Sequence, residues 1–305
     1  MARCPFCSEP AAFHAAATDI EYFTTSERFE FWHCKACDIL FISPMLIEQL
    51  HVIYPSNYYA FEDVGKKGFP LRVKEWIDRR MLRRVLRGIE GKSLHVLDVG
   101  GGTGWLADIA RSADSRVVDT WVVDLDDTAR MRAEANGHRF LHGRIEDFES
   151  PEKFDLILML NLIEHLPRPD LILERAARML SSNGRIVIKT PNFRSLDAIL
   201  FRHRSWGGYH CPRHFVLFSH ESLTRALSVA GLTAEQFFYT QGAPFWSVSI
   251  MNEMRLMGLI SVDAKRSYGG HPIMPFLQVI TAGFDFMRRP FSRLSQMLIV
   301  ARRMD

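Results

Sequence analysis

Four of the five cysteines in the 305-residue chain form two closely spaced pairs, Cys4 with Cys7 and Cys34 with Cys37. Two residues between paired cysteines let both sulfur atoms of a tight turn face one ion, and two such turns complete a tetrahedral zinc site. Four thiolates fill the coordination shell of the ion, so we expect a structural and not a catalytic metal. Two disulfides are the alternative, and a reducing compartment disfavours them.

A glycine-rich stretch over residues 94–105 has an acidic residue and three glycines at alternate positions. These residues are Asp98, Gly100, Gly102 and Gly104. The apolar residues before them predict a buried strand, and the apolar spacing after them predicts a helix. Glycines let a ligand lie against bare backbone, and the first amide groups of the following helix point at that ligand. The spacing matches neither the dinucleotide fingerprint nor a P-loop.

A second strand is predicted over residues 117–123, and Asp124 follows it directly. In nucleotide-binding α/β units, an acidic residue at the end of the second strand accepts hydrogen bonds from ribose hydroxyls. Asp124 lies twenty residues beyond Gly104, which agrees with that geometry. We therefore expect Asp124 to bind the sugar of a nucleoside cofactor.

A continuous apolar run over residues 156–160 is typical of a strand in the centre of a parallel sheet, covered on both faces. Asn161, Glu164 and His165 come directly after this run. Ligands of open α/β sheets bind at the carboxyl ends of the strands. We therefore expect Asn161 to lie at the cofactor site and His165 to lie beside it.

These motifs, in this order, resemble those of a known family. The acidic-x-Gly-x-Gly-x-Gly stretch at residues 98–104 resembles the first motif of class I S-adenosylmethionine-dependent methyltransferases. Asn-x-x-Glu-His at residues 161–165 and Thr-Pro-Asn at residues 190–192 resemble the ubiquinone O-methyltransferase-like branch. One departure is Ser-Ser-Asn-Gly at residues 181–184, where relatives usually have a Pro-Gly-Gly turn; the terminal glycine is kept. The resemblance covers roughly residues 94–231.

The resemblance implies S-adenosylmethionine as the cofactor, with its amino-acid end on the glycine loop. In the family, a further loop covers the adenine ring, and Ile145 and Glu146 occupy the matching positions. The cofactor-binding residues are thus expected to be Asp98, Gly100, Gly102, Gly104, Asp124, Ile145, Glu146 and Asn161. A zinc-knuckle extension ahead of such a domain also resembles bacterial methyltransferases of sugar, lipid and secondary-metabolite pathways.

The fold class that follows is α/β: a Rossmann-like, seven-stranded and mostly parallel sheet with helices on both faces, plus a small N-terminal zinc-ribbon-like module. The expected division is a zinc-knuckle module with an aromatic linker over residues 1–60 and the methyltransferase domain over residues 69–305. An insertion at residues 193–218 and a helical segment at residues 245–293 are expected to cap the methyl acceptor.

Methyl transfer from a sulfonium is an in-line displacement in which the protein supplies alignment and a nucleophilic acceptor. A hydroxyl or an acidic carbon needs a base near neutral pH, and histidine has the appropriate pKa. The candidates are His165, His210 and His214; any single histidine is more often structural, but we expect one of the three to be the base. The resemblance also allows Glu164 with His165 to bind a divalent ion that polarises the acceptor. The expected acceptor is an O or C atom of a small-molecule, glycan or lipid-type compound.

Composition and charge restrict the class of protein. The hydrophobic fraction of 47% and the charged fraction of 24% are ordinary for a soluble globular protein, and a net charge of +3 is too small to imply a nucleic-acid partner. The first residues form no apolar signal sequence, and no run of roughly 18 apolar residues predicts a membrane span. We therefore expect a cytoplasmic protein.

Two alternative functions remain open at this stage. The helix predicted over residues 69–91 has a basic face that includes Arg79, Arg80, Arg83 and Arg84, and with the zinc module it suggests an RNA-modifying methyltransferase. A solvated helix face is the simpler interpretation. A non-catalytic module that binds the cofactor or a partner is the other alternative, although Asp98, Asp124 and the loop glycines are intact.

Two apolar regions have more than one interpretation. Residues 245–262 and 273–291 are Met-rich with scattered arginines, and they predict a helical hairpin that completes the core or a dimer interface; helices lying on the inner face of a membrane compete with this interpretation. The aromatic run at residues 54–59 either packs the zinc module against the main domain or forms a lid in which Tyr58 or Tyr59 touches ligand. The oligomeric state is not predicted.

Overall fold

The computed structural model describes residues 2–55, 69–148, 150, 152–264 and 266–304. The strands are β1 (Ala12–Thr18), β2 (Arg28–Cys34), β3 (Ile39–Ser43), β4 (Leu94–Val99), β5 (Val117–Asp124), β6 (Arg139–His142), β7 (Phe154–Leu160), β8 (Leu180–Pro191), β9 (Val216–Phe218), β10 (Leu232–Thr240) and β11 (Gln296–Arg303). The helices are α1 (Leu50–Ile53), α2 (Phe69–Arg87), α3 (Trp105–Ala113), α4 (Asp127–Ala135), α5 (Pro169–Met179), α6 (Leu196–Leu200), α7 (His220–Val229), α8 (Ala243–Leu256) and α9 (Ile273–Arg288).

Seven of the strands described here form one sheet in the order β10-β11-β8-β7-β4-β5-β6. Strands β8, β7, β4, β5 and β6 run parallel, and β11 lies antiparallel between β10 and β8. Helices α3, α4 and α5 lie in the connections from β4 to β5, from β5 to β6 and from β7 to β8. This arrangement confirms the predicted α/β fold class.

Helices cover both faces of this sheet, which is why its central strands are apolar throughout. On one face, Leu82 of α2 and Ile109 of α3 pack in a buried cluster with Val96 of β4. On the other face, Leu173 of α5 belongs to a second cluster with Ile157 of β7. Because β8, β7, β4, β5 and β6 run parallel, their carboxyl ends all lie at one edge of the sheet, where ligands of open α/β sheets bind.

A second, antiparallel sheet has the order β1-β2-β3-β9; Cys4 and Cys7 precede its first strand, and Cys34 and Cys37 lie where β2 turns into β3. Strand β9 belongs to the predicted insertion at residues 193–218, and its Phe218 pairs with Ile39 of β3. This sheet thus joins residues from both sides of the predicted domain boundary at residue 60. The division into two domains stays a prediction.

A loop over residues 19–27 connects the first two strands of this sheet. The partner of β2 is β1, and residues 22–24 lie in the loop between these two strands. The Asp19 carboxylate explains the loop, because it accepts hydrogen bonds from the backbone N–H groups of Tyr22 (3.0 Å) and Thr24 (2.9 Å). A side chain that binds local amides in this way competes with strand pairing.

The Met-rich segment folds as two helices, α8 and α9, which pack against each other. Asp285 of α9 is fully buried between them and accepts hydrogen bonds from Gly242 N (2.8 Å), Trp246 Nε1 (3.1 Å) and Arg288 Nε (2.9 Å). Charged and polar donors thus satisfy this buried carboxylate. Within the described residues, no helix combines the length and the apolar character needed to cross a bilayer.

Candidate functional site

The glycine loop between β4 and α3 has the backbone that its sequence predicts. Gly100, Gly102 and Gly104 have φ values of +70°, +51° and +83°, in the left-handed region that favours glycine. A Cβ on Gly104 would collide with the His138 ring, whereas a Cβ on Gly102 would meet no described atom within 4 Å. The backbone at Gly102 is therefore open to a ligand.

Two carboxyl groups lie against this loop. Asp98 is buried, and burial together with the Asp124 charge raises the pKa of its carboxyl to about 8. Its Oδ2 atom has no hydrogen-bond partner among the described residues. The Asp124 oxygens accept the N–H groups of Gly102 (2.7 Å) and Asp126 (2.9 Å), and burial raises the pKa of this carboxyl as well. A buried acceptor without a donor, beside an open backbone, fits a ligand with N–H or O–H groups such as the amino-acid end of S-adenosylmethionine.

The other predicted cofactor residues lie at the same edge of the sheet. Ile145 is buried and Glu146 partly exposed in a 3-10 turn after β6. Asn161 follows β7 with a φ of +54°, and its Oδ1 atom accepts a hydrogen bond from Gln296 Nε2 (3.1 Å). The side chain of Leu162, the next residue, packs so closely on Gly100 that a Cβ there would lie 2.9 Å from it. The loop after β7 is therefore adjacent to the glycine loop.

The three predicted catalytic histidines come together next to this loop. The ring centroids of His165 and His214 are 4.6 Å apart, those of His210 and His214 4.9 Å, and those of His165 and His210 5.9 Å. His165 ends a 3-10 turn after β7, whereas His210 and His214 come from the segment between α6 and β9. Of the three, His165 is partly exposed, and the other two are buried. A ligand at the sheet edge can thus reach His165 most directly.

Hydrogen bonds fix the tautomers of two of these rings. Nδ1 of His165 is 3.1 Å from the carbonyl oxygen of Arg213, and Nδ1 of His214 is 2.9 Å from that of Gly208. A carbonyl only accepts, so each Nδ1 is the donor and each Nε2 keeps its lone pair. The hydroxyl of Tyr54 also lies 2.8 Å from Nδ1 of His165. Both Nε2 atoms are therefore available as a base or as a metal ligand.

Burial shifts the titration of this cluster. It lowers the pKa of His165 to about 3, with the His210 charge as a further cause, and it lowers the pKa of His214 well below its ordinary value. Burial likewise raises the pKa of the Glu164 carboxyl to about 8. The rings of His165 and His214 are thus neutral at neutral pH, the state in which an imidazole nitrogen can accept a proton or bind a metal ion.

The same groups have the chemistry of a divalent-metal site. Glu164 Oε2 accepts a hydrogen bond from Thr190 (2.9 Å), but Oε1 has no hydrogen-bond partner in the described part of the chain. Oε1 is 3.9 Å from His214 Nε2, and one atom each of Glu164, His165 and His214 lie within 4.8 Å of one another. Two imidazoles and a carboxylate are a common ligand set for divalent transition metals.

The four knuckle cysteines also converge. Their sulfur atoms lie within 4.8 Å of one another, with 4.0 Å between Cys4 and Cys37 and 3.5 Å between Cys7 and Cys34. A tetrahedral zinc site with zinc–sulfur bonds of about 2.3 Å has sulfur atoms about 3.8 Å apart. The arrangement therefore fits one zinc ion.

Sequence reasoning missed three residues around the histidines. Tyr54, at the start of the aromatic run, reaches His165, whereas Tyr58 and Tyr59 lie outside the described residues. Arg213 is fully buried and forms an ion pair with Asp19 (2.8 Å), which holds the carbonyl that orients His165. Neither Arg213 nor Asp19 can be identified from the sequence, because a buried ion pair between residues 194 positions apart has no local sequence pattern.

Comparisons with known proteins agree with this geometry. A family model described as a methyltransferase domain matches residues 73–236, more than half of the chain. The chain is 31% identical over 154 residues to a ubiquinone biosynthesis O-methyltransferase of Pseudomonas fluorescens strain Pf-5, covering 48% of this chain and 59% of the relative. It is 34% identical over 148 residues to one from Azorhizobium caulinodans, covering 47% and 53%. The chain thus spans between half and three fifths of the length of these relatives.

Solved structures support the fold. A coclaurine N-methyltransferase bound to N-methylheliamine and S-adenosylhomocysteine has a TM-score of 0.52 at 14% identity, covering 85% of this chain and 80% of that one. The 1,6-didemethyltoxoflavin-N1-methyltransferase of Burkholderia thailandensis has a TM-score of 0.50 at 14% identity, covering 93% and 99%. Sequence identities of 14% show only that the fold is shared. The family match over more than half of the chain establishes that the chain belongs to the methyltransferase-domain family of class I S-adenosylmethionine-dependent enzymes.

Proposed function

We propose that this protein transfers a methyl group from S-adenosylmethionine to an O or C atom of a small-molecule acceptor. The main support is the position of His165: a partly exposed imidazole with a free Nε2, three residues beyond the leucine that packs on the glycine loop. The names of the ubiquinone O-methyltransferase relatives agree with an oxygen acceptor.

S-adenosylmethionine supplies the electrophilic methyl group. Residues of this chain bind and orient the cofactor and accept the proton of the acceptor. Asp98 and the amides of the glycine loop orient the amino-acid end of the cofactor, and Asp124 binds its ribose. His165 Nε2 accepts the proton of the acceptor hydroxyl or acidic carbon while the methyl group is transferred. The carbonyl of Arg213 holds the ring so that Nδ1 is the donor, and the hydroxyl of Tyr54 lies beside the same nitrogen.

In an alternative mechanism, Glu164, His165 and His214 bind a divalent ion. The unpartnered Oε1 of Glu164 and the two fixed tautomers favour it. The ion would act as a Lewis acid that polarises the acceptor oxygen. Methyl transfer that depends on added Mn²⁺ or Mg²⁺ would support this form; transfer unchanged without added ion would support the histidine base.

For the knuckles, we propose a structural zinc ion held by Cys4, Cys7, Cys34 and Cys37. The sulfur distances support it, and four protein thiolates leave no open position for a substrate. Part of the basic face considered as an RNA contact is engaged within the chain: Arg79 binds Glu75 (2.7 Å), and Arg84 lies over the ring of Phe238.

We further propose that α9 contacts an anionic membrane surface. Its outward residues include Phe276, Val279, Ile280, Phe286 and Met287, all at least half exposed, and Phe291 just beyond the helix is 89% exposed. Arg289 is exposed at the same end. An apolar stripe with a basic rim is typical of helices that lie in the plane of a bilayer.

The first experiment is calorimetric titration of S-adenosylmethionine into the zinc-loaded protein and into an Asp124→Ala variant. Micromolar binding that the variant loses would support the cofactor site and justify a screen of acceptors with labelled methyl groups. A folded wild-type protein that does not bind S-adenosylmethionine would contradict the proposed function.

A further inference from the structure

A basic pocket of about 550 Å³ lies between the N-terminal sheet and the segment that follows β8. Its titratable lining residues are all basic: His14, His33, Lys35, Arg194, Arg202 and Arg293. Its volume is within the range of small-molecule sites, roughly 300–1,000 Å³. The predicted cofactor residues do not line it, so this pocket is separate from the glycine loop.

The positive charge of the pocket is only partly balanced. Arg194 binds Asp38, and Arg293 binds Glu221 (2.8 Å). Lys35 and Arg202 form no ion pair with any acid in the described part of the chain. The Nε of Arg202 donates to the His14 carbonyl (2.9 Å), which holds the guanidinium at the pocket wall. At least two cations thus face a cavity that has no acidic lining residue.

The protonation state of His14 depends on its burial and on the positive charge of the pocket. Burial is the first cause that lowers its pKa, to about 3, and the charge of Arg202 is the next. The imidazole is therefore neutral and adds no charge of its own near pH 7. A bound anion would relieve the repulsion between the remaining cations.

Apolar side chains form the rest of the wall. The ring of Phe13 is about half exposed, and Ile199 of α6 is 64% exposed. The Phe193 ring lies 5.7 Å from the His33 ring, and the Arg194 guanidinium lies 5.3 Å from its centroid. A flat organic group can pack against such surfaces while charged groups bind the cations.

We propose that this pocket binds an organic phosphate, with the phosphate oxygens on Lys35 and Arg202 and a flat organic group against Phe13 and Ile199. Arginine and lysine are the usual partners of phosphate, and charge-assisted hydrogen bonds are stronger than neutral ones. One wall comes from the zinc-knuckle sheet, so the knuckles would shape a ligand site as well as stabilise the fold.

The test is titration of uridine diphosphate into the full, zinc-loaded chain saturated with S-adenosylhomocysteine, so that the nucleotide does not occupy the cofactor site. Uridine diphosphate should bind at least about tenfold more tightly than uridine, because only the former has phosphate for the cations. Affinity should fall as the salt concentration rises. Failure of the folded protein to bind at millimolar nucleotide overturns the proposal, and pyrophosphate that binds as tightly overturns the role of the apolar wall.

Two neighbouring substitutions locate the ligand. Ile199→Glu places a carboxylate in the pocket, whereas Leu200→Glu adds the same charge at an exposed residue of α6 that does not line it. Ile199→Glu should weaken binding about tenfold or more, and Leu200→Glu by less than about twofold. Equal effects would place the nucleotide elsewhere. No methyl transfer is measured, so this result is independent of the proposed enzyme activity.

Discussion

The three clustered histidines are alike in the sequence but differ in the folded chain. His210 binds the Glu21 carboxylate at 2.7 Å, and the buried His214 faces Glu164. His165 alone of the three keeps partial exposure at the sheet edge. We therefore propose His165 as the base, with the other two histidines shaping the pocket around it.

We expect His165→Ala to lower the kcat of methyl transfer about 100-fold or more, because general-base catalysis contributes at least that factor. The Kd of S-adenosylmethionine should not change. His203→Ala is a matched control, since His203 is an exposed histidine of the same segment. The measurement is S-adenosylhomocysteine formed with an acceptor from the screen. Equal kcat values for the two variants would rule out His165 as the base.

Asp98 makes stability depend on pH. Its folded-state pKa of about 8 is above the ordinary value of 3.8, so the folded state holds the proton more tightly than the unfolded state does. The stability that this group contributes is present below pH 3.8 and declines as pH rises toward 8. Asp98→Asn removes this decline.

In urea unfolding of the ligand-free protein, the Asp98→Asn variant should therefore gain stability relative to wild type between pH 5.5 and pH 8.5. The same difference in unfolding free energy at both pH values would show that this carboxyl does not titrate as described.

At the scale of elements, the loop between β4 and α3 depends on backbone conformation more than on side chains. Gly102 has positive φ and open space beyond its Cα atom, and Gly231, after α7, has the same two properties away from the site. The two glycines thus share the left-handed backbone, and the cofactor is proposed to approach only Gly102. Comparing alanine variants at these two positions therefore separates the cost of backbone strain from the loss of ligand binding.

We expect Gly102→Ala and Gly231→Ala each to cost about 1–2 kcal/mol of stability, because alanine is strained at positive φ. Gly102→Ala alone should weaken S-adenosylmethionine binding in calorimetry. If both variants bind the cofactor equally well, the ligand does not lie against Gly102.

The second element that a single change can test is the cysteine cluster. Structural zinc binds with roughly 10–16 kcal/mol in small domains, so Cys34→Ser should release zinc and reduce the stability of the chain by several kcal/mol. Cys211→Ser, at the buried fifth cysteine, should keep a full zinc content. Elemental analysis and thermal unfolding give the two readouts. Equal zinc in both variants would contradict the assignment.

At the scale of the whole molecule, β9 joins the knuckle sheet to the segment that contains His210 and His214. A change at the knuckles can therefore reach the site through one strand pair. The opposite end of the chain presents the apolar stripe of α9, which the rest of the described structure does not cover.

The membrane proposal predicts that the protein sediments with vesicles of phosphatidylglycerol and phosphatidylcholine. The double change Phe286→Asp and Met287→Asp should reduce binding about tenfold or more, since each buried apolar side chain contributes about 1.5–3 kcal/mol. Met131→Asp is the control, at a residue of α4 that is 78% exposed. Unchanged binding of the double variant would exclude α9 as the contact.

The sequence by itself determined most of the sheet and placed the glycine loop, the strand-end acid and the cysteine pairs, whereas the cofactor class came from the resemblance of these motifs to a known family. Local patterns sufficed for this: a continuous apolar strand, alternate glycines, an acid at a strand end, and cysteines two residues apart. These features act over a few residues, so a single sequence shows them.

Only the tertiary structure decided which distant residues meet. The pairing of β9 with β3, the contact of Tyr54 with His165 and the buried pair of Arg213 with Asp19 join residues more than 100 positions apart. The basic pocket likewise combines His14 with Arg202 and Arg293. Such contacts follow from packing and burial over the whole chain, and no local spacing predicts them.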